Sequence, residues 1–345
     1  MSATIHYPIE KLGSNPRAII IFNPAAGQAE SLQKDLQDSR ELLVGYGWSV
    51  ELCPTQGPGD GTRIAREAAE AGLDAVIAAG GDGTINEVIN GLAGSHTALG
   101  VLPVGTVNVW AREIGFPLQP RATTEALLQA HVRQIDLGRA GERFFLLMAG
   151  IGFDAAVVNE VSPEEKRRLG IFAYAWRALS LGVRFRGMRV RVSLDGKVLR
   201  RRVLMIVIGN TQLYAGFLKF TSRASIDDGL LDVCLIKGDN LLAVPFHLAT
   251  ILLQRYSFDP KFEYHRVRSI RIESRRKLPV QADGELIGTT PVTIQVIPGA
   301  LRVLLPHSLP ANDLLSDISP ARKQSPWRYA LRRLLRREFG EHGEW

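Results

Sequence analysis

The stretch Asp74-Ala-Val-Ile-Ala-Ala-Gly-Gly-Asp-Gly-Thr-Ile-Asn-Glu87 decides the fold of this chain. Residues 74–79 are apolar except for the first, which predicts a short strand buried on both faces. Three glycines follow at once, and a short helix is predicted from Ile85 to Leu92. In an open parallel sheet, ligands bind in the crevice beyond the carboxyl ends of the strands. The loop between this strand and this helix is therefore a candidate ligand site.

Predicted strands and helices alternate on both sides of this unit. The pattern predicts strands at residues 18–22, 48–52 and 98–102, and helices at about 32–43 and 62–71. Strand–helix alternation at this spacing is typical of a mostly parallel sheet with helices on both faces. The first half is therefore predicted to be a doubly wound, Rossmann-like α/β domain.

The second half has a different pattern. Residues 189–194 alternate with period two, Asp195-Gly196 is a hairpin turn signal, and residues 203–208 form the predicted return strand. Further β-like runs at 230–236, 269–272, 280–282 and 292–296 predict an antiparallel β-sandwich, interrupted by a helix at about 241–255. The predicted division is an extension over 1–16, a nucleotide-binding α/β domain over 17–140, a β-sandwich domain over 141–310 and a tail over 311–345.

Composition excludes several classes of protein. The chain has 345 residues, of which 46% are hydrophobic and 22% charged, and this excludes a largely disordered or fibrous protein. Two cysteines cannot build a disulfide framework, so a cytoplasmic protein is expected. The longest nearly uncharged apolar stretch, residues 241–253, is shorter than the span of about 18 residues that a membrane helix needs. The N-terminus has no basic flank and no apolar signal core.

The glycine loop has the chemistry of a phosphate site. Glycines let backbone N–H groups approach an anion closely, and a helix start adds unpaired N–H donors and a positive dipole end. Asp82 suits such a loop if a divalent cation or an ordered water lies between it and the phosphates. The alternative is a tight strand-to-helix turn with an aspartate cap. Two more loops, residues 23–27 and 103–108, leave the same predicted sheet edge, and the chain lacks the common P-loop pattern.

Two acidic turns mark the second half. Ser225-Ile-Asp-Asp-Gly-Leu-Leu-Asp232 contains three carboxylates, which suit a hard cation, although an Asp-Gly turn before a strand explains the same residues. Gln281-Ala-Asp-Gly-Glu285 places two carboxylates on a predicted turn, where one could accept a proton from a substrate hydroxyl. Such turns are also common as purely structural features.

The order of these motifs resembles the bacterial diacylglycerol kinase and lipid kinase family, which is related to sphingosine kinases and NAD kinases. The resemblance covers about residues 17–306 and includes Gly150-Ile-Gly-Phe-Asp154. It implies ATP- and Mg²⁺-dependent phosphoryl transfer to a lipid hydroxyl, most simply from diacylglycerol to phosphatidic acid, in a cleft between the two domains. It also implies a proton acceptor, Glu285, with Asp283 beside it, and a structural Mg²⁺ held by Asp228 and the carbonyls of Ser225 and Leu230. The implied ATP-binding residues are Asn23, Thr55, Gly80, Gly81, Asp82, Gly83, Thr84, Ile85, Asn86, Glu87, Gly105 and Thr106.

The chain departs from the family pattern at two positions. Family members often carry aspartate where this chain has Val109, and many carry a phosphate-facing lysine where it has Gln28. Arg63 and Arg112 are candidate replacements for the missing cation. Three alternatives stay open: a kinase of sphingoid bases or other lipid alcohols, an NAD kinase-like enzyme that shares the glycine loop, and, because of the two departures, a weakly catalytic regulator that binds nucleotide or lipid.

Charge is distributed unevenly. Residues 1–140 hold 10 Lys/Arg against 15 Asp/Glu, whereas residues 141–345 hold 32 against 20. Residues 166–202 hold 12 basic residues and one acidic residue, which suits peripheral docking on anionic lipid headgroups at the inner membrane face. Solvated strand edges are the alternative. The tail over 321–345 predicts a basic amphipathic helix that binds membrane or packs on the protein. No aromatic stacking platform points to nucleic acid, and a homodimer is left open.

Overall fold

The computed structural model describes residues 7–24, 29–160, 186–214, 219–238, 261–307 and 314–316. The first half of this part contains four strands and five helices. In chain order they are β1 (Arg17–Phe22), α1 (Ala29–Gly45), β2 (Ser49–Pro54), α2 (Asp60–Glu70), β3 (Ala75–Gly80), α3 (Asp82–Leu92), β4 (Ala98–Pro103), α4 (Val109–Ile114) and α5 (Pro120–Leu128).

The first four strands form a parallel sheet in the order β4-β3-β1-β2. Phe22 lies beside both Pro54 and Ala79, and Gly80 lies beside Pro103, so the four carboxyl ends share one edge. β1, β3 and β4 are buried at almost every position, which explains their continuous apolar sequences. The predicted doubly wound α/β fold is confirmed.

The second half is built mainly from antiparallel strands. β7 pairs with β9 and β13, β8 pairs with β9 and β12, and β10 pairs with β9 and β11. The predicted β-rich second half is thereby confirmed. Its elements are β5 (His131–Ala140), β6 (Arg143–Phe145), β7 (Met148–Gly152), α6 (Phe153–Glu160), β8 (Met188–Leu194), β9 (Lys197–Gly209), β10 (Leu231–Lys237), β11 (Phe262–Val267), β12 (Ser269–Ser274), β13 (Pro279–Ala282), β14 (Glu285–Thr289) and β15 (Val292–Leu305).

β15 joins the two halves. Its beginning pairs antiparallel with β12, its length pairs with β5, and its end pairs parallel with β4 at Arg302–Ala98 and Val303–Leu99. All fifteen strands in the described part of the chain therefore belong to one hydrogen-bonded sheet. β15 thus returns to the edge of the first sheet beside β4, which connects the glycine loop and the second half through one hydrogen-bonded sheet.

Two apolar cores stabilise this arrangement. One surrounds the parallel sheet and continues to Leu146, Leu147 and Met148, at the start of the second half. The other lies within the antiparallel strands and includes Ile151 and Val280. The turn that carries Asp283 and Glu285 is therefore flanked by strands that pack in the second core.

Several elements differ from the sequence prediction. α3 begins at Asp82 rather than Ile85, and β9 begins at Lys197 rather than Val203, because its arginine-rich half pairs with β8. The pattern missed α4, α5 and α6, which are short, and β5, β6, β7, β11 and β14, whose burial depends on distant partners. The predicted helix at 241–255, the predicted tail helix and Gln28 lie outside the described residues. In the described part, no helix has the length and apolar character needed to cross a membrane.

Candidate active site

The glycine loop lies between β3 and α3 at the carboxyl edge of the parallel sheet. Gly81 caps α3 in an extended conformation and makes no side-chain cap hydrogen bond. The first N–H groups of the helix therefore have no capping side chain, and a helix start of this kind attracts anions. This geometry suits the phosphate-binding role predicted from the sequence.

Close packing explains two of the glycines in the loops. A Cβ on Gly80 would lie 2.3 Å from Thr84 Oγ1, so the threonine side chain covers this glycine. A Cβ on Gly105 would lie 2.4 Å from the Cα of Gly81. The loops after β3 and β4 therefore touch backbone to backbone, and a side chain at Gly105 would force them apart. Thr106 follows in an exposed position at the same edge.

Asn108 shapes the loop after β4. It adopts a left-handed conformation with φ 51°, and its Nδ2 donates a 2.7 Å hydrogen bond to the Gly105 carbonyl. The N–H of Trp110 lies 3.4 Å from Asp82 Oδ1, which connects this loop to the glycine loop. Val109 is buried in the main core, so the position where the family often has aspartate contributes apolar packing here.

The other predicted nucleotide residues surround the same edge. Asn23 is exposed after β1, and the Thr55 N–H donates a 2.8 Å hydrogen bond to the Phe22 carbonyl after β2. The structure therefore brings both residues to the edge that carries the glycine loop. Their contacts with a nucleotide stay a prediction.

Two side chains of the motif point to structural tasks. Glu87 accepts hydrogen bonds of 2.9 and 2.8 Å from the N–H groups of Gly59 and Gly61, so its carboxylate caps the beginning of α2. Ile85 is buried in the main core. These contacts show that both side chains support the structure around the glycine loop. Their role in ATP binding stays a prediction.

Asp283 is an anchor at the turn between β13 and β14. Asp283 and Gly284 both have left-handed φ values, 48° and 82°, which makes a two-residue hairpin turn. The carboxylate accepts four hydrogen bonds of 2.8 to 3.0 Å, three from the backbone N–H groups of residues 146–148 and one from Asn86 Nδ2. Burial raises the pKa of Asp283, and these hydrogen bonds oppose the rise. With its carboxylate used in this way, Asp283 positions the turn.

Glu285 is the acidic residue of the turn that faces the glycine loop. A Cβ on Gly83 would lie 4.0 Å from Glu285 Oε1. Arg143 Nη2 donates a 2.6 Å hydrogen bond to Glu285 Oε2, and the Glu285 side chain keeps 39% of its exposure. A carboxylate from the second half thus reaches the phosphate loop of the first half while remaining open to a substrate.

Further contacts hold this junction together. Asn90 on α3 donates to the Phe144 carbonyl at 3.0 Å and accepts from the Phe144 N–H at 2.9 Å, which ties β6 to α3. On the other side of the turn, Gln281 accepts from the Gly284 N–H at 2.8 Å and donates to Asp154 at 2.6 Å. Asp154 also accepts from Tyr214, and burial raises its pKa. The turn that presents Glu285 is therefore supported from both sides.

The predicted magnesium site contains a guanidinium group. Asp228 accepts from the Leu230 N–H at 3.0 Å and forms an ion pair with Arg266, whose Nε lies 3.6 Å from Asp232. Burial raises the pKa of Asp228 to about 7 and that of Asp232 to about 6. Ser225 Oγ donates to Asp227 at 3.0 Å.

These contacts bear on whether the predicted site can hold a metal. The described residues contain no group of three or more acidic, histidine or cysteine side chains arranged to hold a metal ion. A metal at Asp228 would have to share or displace the Arg266 guanidinium, so the residues present do not favour one. The magnesium role of Asp228, Ser225 and Leu230 stays a prediction.

The two arginines considered as phosphate ligands have other partners. Arg63 pairs with Asp60 at 3.2 Å and Glu67 at 2.9 Å on the exposed face of α2, and Arg112 Nε donates to the Val107 carbonyl at 2.7 Å. Arg143 was not among the residues predicted from the sequence, because the hairpin of β5 and β6 that carries it has no motif of its own. The local sequence signal for β6 is the pair of aromatic residues, Phe144 and Phe145, that follows Arg143.

Comparison with known proteins places this geometry among related folds. Residues 17–140 match the diacylglycerol kinase catalytic domain, and residues 148–305 match the YegS C-terminal NAD kinase beta sandwich-like domain. The diacylglycerol kinase of Staphylococcus aureus (strain bovine RF122 / ET3-1) is 30% identical over 304 residues, covering 87% of this chain and 96% of the relative. That of Staphylococcus epidermidis (strain ATCC 12228 / FDA PCI 1200) is 30% identical over 312 residues, covering 88% and 98%. A crystal structure of a candidate diacylglycerol kinase from Bacillus anthracis str. Sterne superposes with a TM-score of 0.75 and 26% identity, covering 87% and 98%.

Proposed function

The chain belongs to the diacylglycerol kinase family of lipid kinases, and on this premise we propose that it transfers the γ-phosphate of ATP to the free hydroxyl of diacylglycerol, giving phosphatidic acid and ADP. The nucleotide would bind at the carboxyl edge of the parallel sheet. Its phosphates would lie against the glycine loop and the beginning of α3, where a helix start without a capping side chain and the helix dipole favour anions.

One observation carries this proposal. Glu285 comes from the second half of the chain, yet its Oε1 lies 4.0 Å from the place where a Cβ on Gly83 would stand. A phosphate held by the loop and a hydroxyl next to the carboxylate would then meet in the same cleft. Phosphoryl transfer depends mainly on positioning and charge stabilisation, so this juxtaposition is the arrangement that the reaction needs.

The proposed step uses Glu285 as a general base. The lipid hydroxyl oxygen attacks the γ-phosphorus, its proton passes to the Glu285 carboxylate, and the bond from the γ-phosphorus to the β,γ-bridging oxygen breaks. That oxygen leaves with ADP, and the proton is later released to solvent. Mg²⁺ that enters with ATP would reduce the repulsion between phosphates. General-base assistance of this kind contributes about a hundred- to ten-thousandfold in rate.

A single assay tests the substrate. The full-length protein is given labelled ATP and Mg²⁺ with diacylglycerol vesicles, with sphingosine, or with NAD. Transfer to diacylglycerol is the expected result. Transfer to sphingosine alone would establish the sphingoid-base alternative, and transfer to NAD alone would establish the soluble-substrate alternative. ATP binding without transfer to any acceptor would favour the regulator, for which Gln28 and Val109 are the motivation.

The membrane part of the proposal depends on an arginine groove of about 500 Å³ on the outer face of β8, β9 and β12. In the register of β8 and β9, Arg189 lies opposite Arg202, and Arg191 lies opposite Arg200. Like charges directly opposite each other destabilise a sheet, as for Arg191 and Arg200, and Glu273 lies 4.0 Å from Arg191. An anionic lipid headgroup would relieve this repulsion, so we infer that the groove docks the enzyme on its substrate membrane.

Charge reversal tests the docking. In flotation with phosphatidylglycerol-containing vesicles, the pair Arg191→Glu and Arg200→Glu should weaken binding by about tenfold or more, since a basic residue near an anionic surface contributes about 1 kcal/mol. The matched control is Lys34→Glu with Arg121→Glu, which changes net charge equally on exposed residues of α1 and α5. Equal losses in both pairs would reduce the effect to net charge and contradict the groove.

A further inference from the structure

Arg143 is a basic residue that connects the helix of the glycine loop with the turn that carries Glu285. It lies at the beginning of β6, and its Nη2 donates to Glu285 Oε2 at 2.6 Å and to the Asn86 side-chain oxygen. Asn86 belongs to α3, the helix that begins at the glycine loop, and Glu285 belongs to the turn of the second half. One guanidinium group therefore touches both sides of the cleft.

The site needs a cation that the expected positions do not supply. A triphosphate has several negative charges, and this chain has Gln28 where the family pattern often has lysine. Arg63 is paired with Asp60 and Glu67 on the exposed face of α2. Arg112 donates to a backbone carbonyl beside its own helix. Neither contact directs a guanidinium toward Glu285.

The hydrogen-bonding capacity of Arg143 is only partly used. An arginine has five N–H donors in a planar fork, and the contacts with described residues occupy Nη2. The side chain keeps 32% of its exposure. Nε and Nη1 still carry N–H donors, so Arg143 can donate to an anion in the cleft while Nη2 stays on the carboxylate.

We propose that Arg143 binds the γ-phosphate of the nucleotide and at the same time holds Glu285 in position beside it. This inference rests on the proposed function and names the residue that replaces the missing lysine. The guanidinium stabilises the phosphoryl group as the β,γ bond breaks, and its contact with Glu285 keeps the base aligned with the incoming hydroxyl. Asn86, held by Asp283, accepts the second hydrogen bond from Nη2 of Arg143.

The proposed role of Arg143 can be tested by comparing the affinities for an ATP analogue and for ADP. A γ-phosphate ligand must distinguish ATP from ADP, whereas a residue that only supports the fold must not. Calorimetric titration with a non-hydrolysable ATP analogue and with ADP measures this ratio without any turnover. In Arg143→Gln, the preference for the ATP analogue over ADP should fall by about tenfold or more, because one charge-assisted contact is lost. ADP affinity should stay nearly unchanged.

Two variants separate charge from geometry. Arg143→Lys keeps the charge but lacks the rigid planar fork of a guanidinium, so we expect it to recover part of the ATP preference and little of the turnover. Arg139→Gln is the matched control, because Arg139 lies on the adjacent strand and contacts the Phe144 ring at 5.9 Å. It should leave the ATP-to-ADP ratio at the wild-type value.

The outcomes distinguish the inference from the proposed function. A wild-type protein that transfers phosphate to no acceptor would refute the proposed function, whatever the titrations give. A wild-type protein that transfers phosphate, combined with an unchanged ATP-to-ADP ratio in Arg143→Gln, would overturn the role of Arg143 alone. Melting curves of each variant decide whether a loss comes from unfolding, and the lysine variant remains informative if the glutamine variant is unstable.

Discussion

Asn86 donates a 3.0 Å hydrogen bond to Asp283, which lies 197 residues further along the chain. The bond connects the helix of the glycine loop with the hairpin that carries Glu285. Asp283 also accepts three backbone N–H groups, so the hairpin cannot shift without breaking several contacts together. The distance between the glycine loop and Glu285 is therefore set by one carboxylate that accepts four hydrogen bonds.

Replacing this carboxylate tests its positioning role. Asp283→Asn has one acceptor oxygen instead of two, and asparagine tolerates the left-handed backbone at this turn. Donors that lose their acceptor should lower the free energy of unfolding by about 2 kcal/mol, and turnover should fall with it. Urea denaturation and initial rates measure the two effects.

The exposed Asp-Gly hairpin turn between β8 and β9 is the control for this variant. Asp195 has φ 45° and accepts from the N–H groups of Arg268 and Ser269 in an exposed hairpin. Asp195→Asn should change the free energy of unfolding by less than about 1 kcal/mol and leave turnover intact. Similar effects in the two turns would show that Asp283 has no special task.

Glu285→Gln should remove the proton acceptor without disturbing the fold. The side chain is partly exposed, so the melting temperature and the dissociation constant for ATP should stay close to wild type. Turnover should fall by at least about tenfold, and by more if proton transfer limits the rate. Glu67→Gln, on the exposed face of α2, is the control. Full activity in Glu285→Gln would dismiss its role as base.

Gly105→Ala should separate the two phosphate loops. The added Cβ would lie 2.4 Å from the Cα of Gly81, and backbone at this distance cannot move aside locally. We expect the dissociation constant for ATP to rise by about tenfold or more, since the loop amides lose their alignment. Gly45→Ala, whose Cβ would meet nothing within 4 Å, is the matched control. Unchanged ATP affinity in Gly105→Ala would exclude these loops from the nucleotide site.

Glu113 predicts how stability depends on pH. It is fully buried on α4 and accepts hydrogen bonds of 2.9 and 2.8 Å from the N–H groups of Gln212 and Leu213. Burial raises its pKa to about 7, and these hydrogen bonds oppose the rise. Between its unfolded value of about 4.5 and this value, the folded protein keeps a proton that the unfolded chain has lost. Its contribution to the free energy of unfolding is therefore complete at low pH and disappears as pH rises to about 7.

The comparison of wild type with Glu113→Gln isolates this contribution. Glutamine cannot titrate, so the difference in unfolding free energy should shift against wild type between pH 5 and pH 8, by an amount on the order of 3 kcal/mol. Other titrating groups, including Asp228 and Asp232, cancel in the difference. Denaturation curves at several pH values measure it, and parallel pH dependences in the two proteins would contradict the buried-proton explanation.

Local sequence patterns predicted a large part of the fold and of the candidate site. The apolar runs of β1, β3 and β4, the glycine loop, and the turns at Asp195 and Asp283 all appear where the sequence placed them. These features depend on periodicity and on backbone conformations that few residues adopt, so neighbouring residues are sufficient to show them. The order of the motifs also indicated the family, and the comparisons confirmed it.

Contacts between distant residues were decided only by the tertiary structure. The chain alone did not show that β15 returns to β4, that Arg143 joins Asn86 to Glu285, or that Arg266 lies on Asp228. Such pairings depend on strand register and on how two packed cores meet, and no short stretch of sequence contains that information. Most of the candidate site residues could therefore be predicted individually from local sequence motifs. Their arrangement in one site was decided only by the tertiary structure.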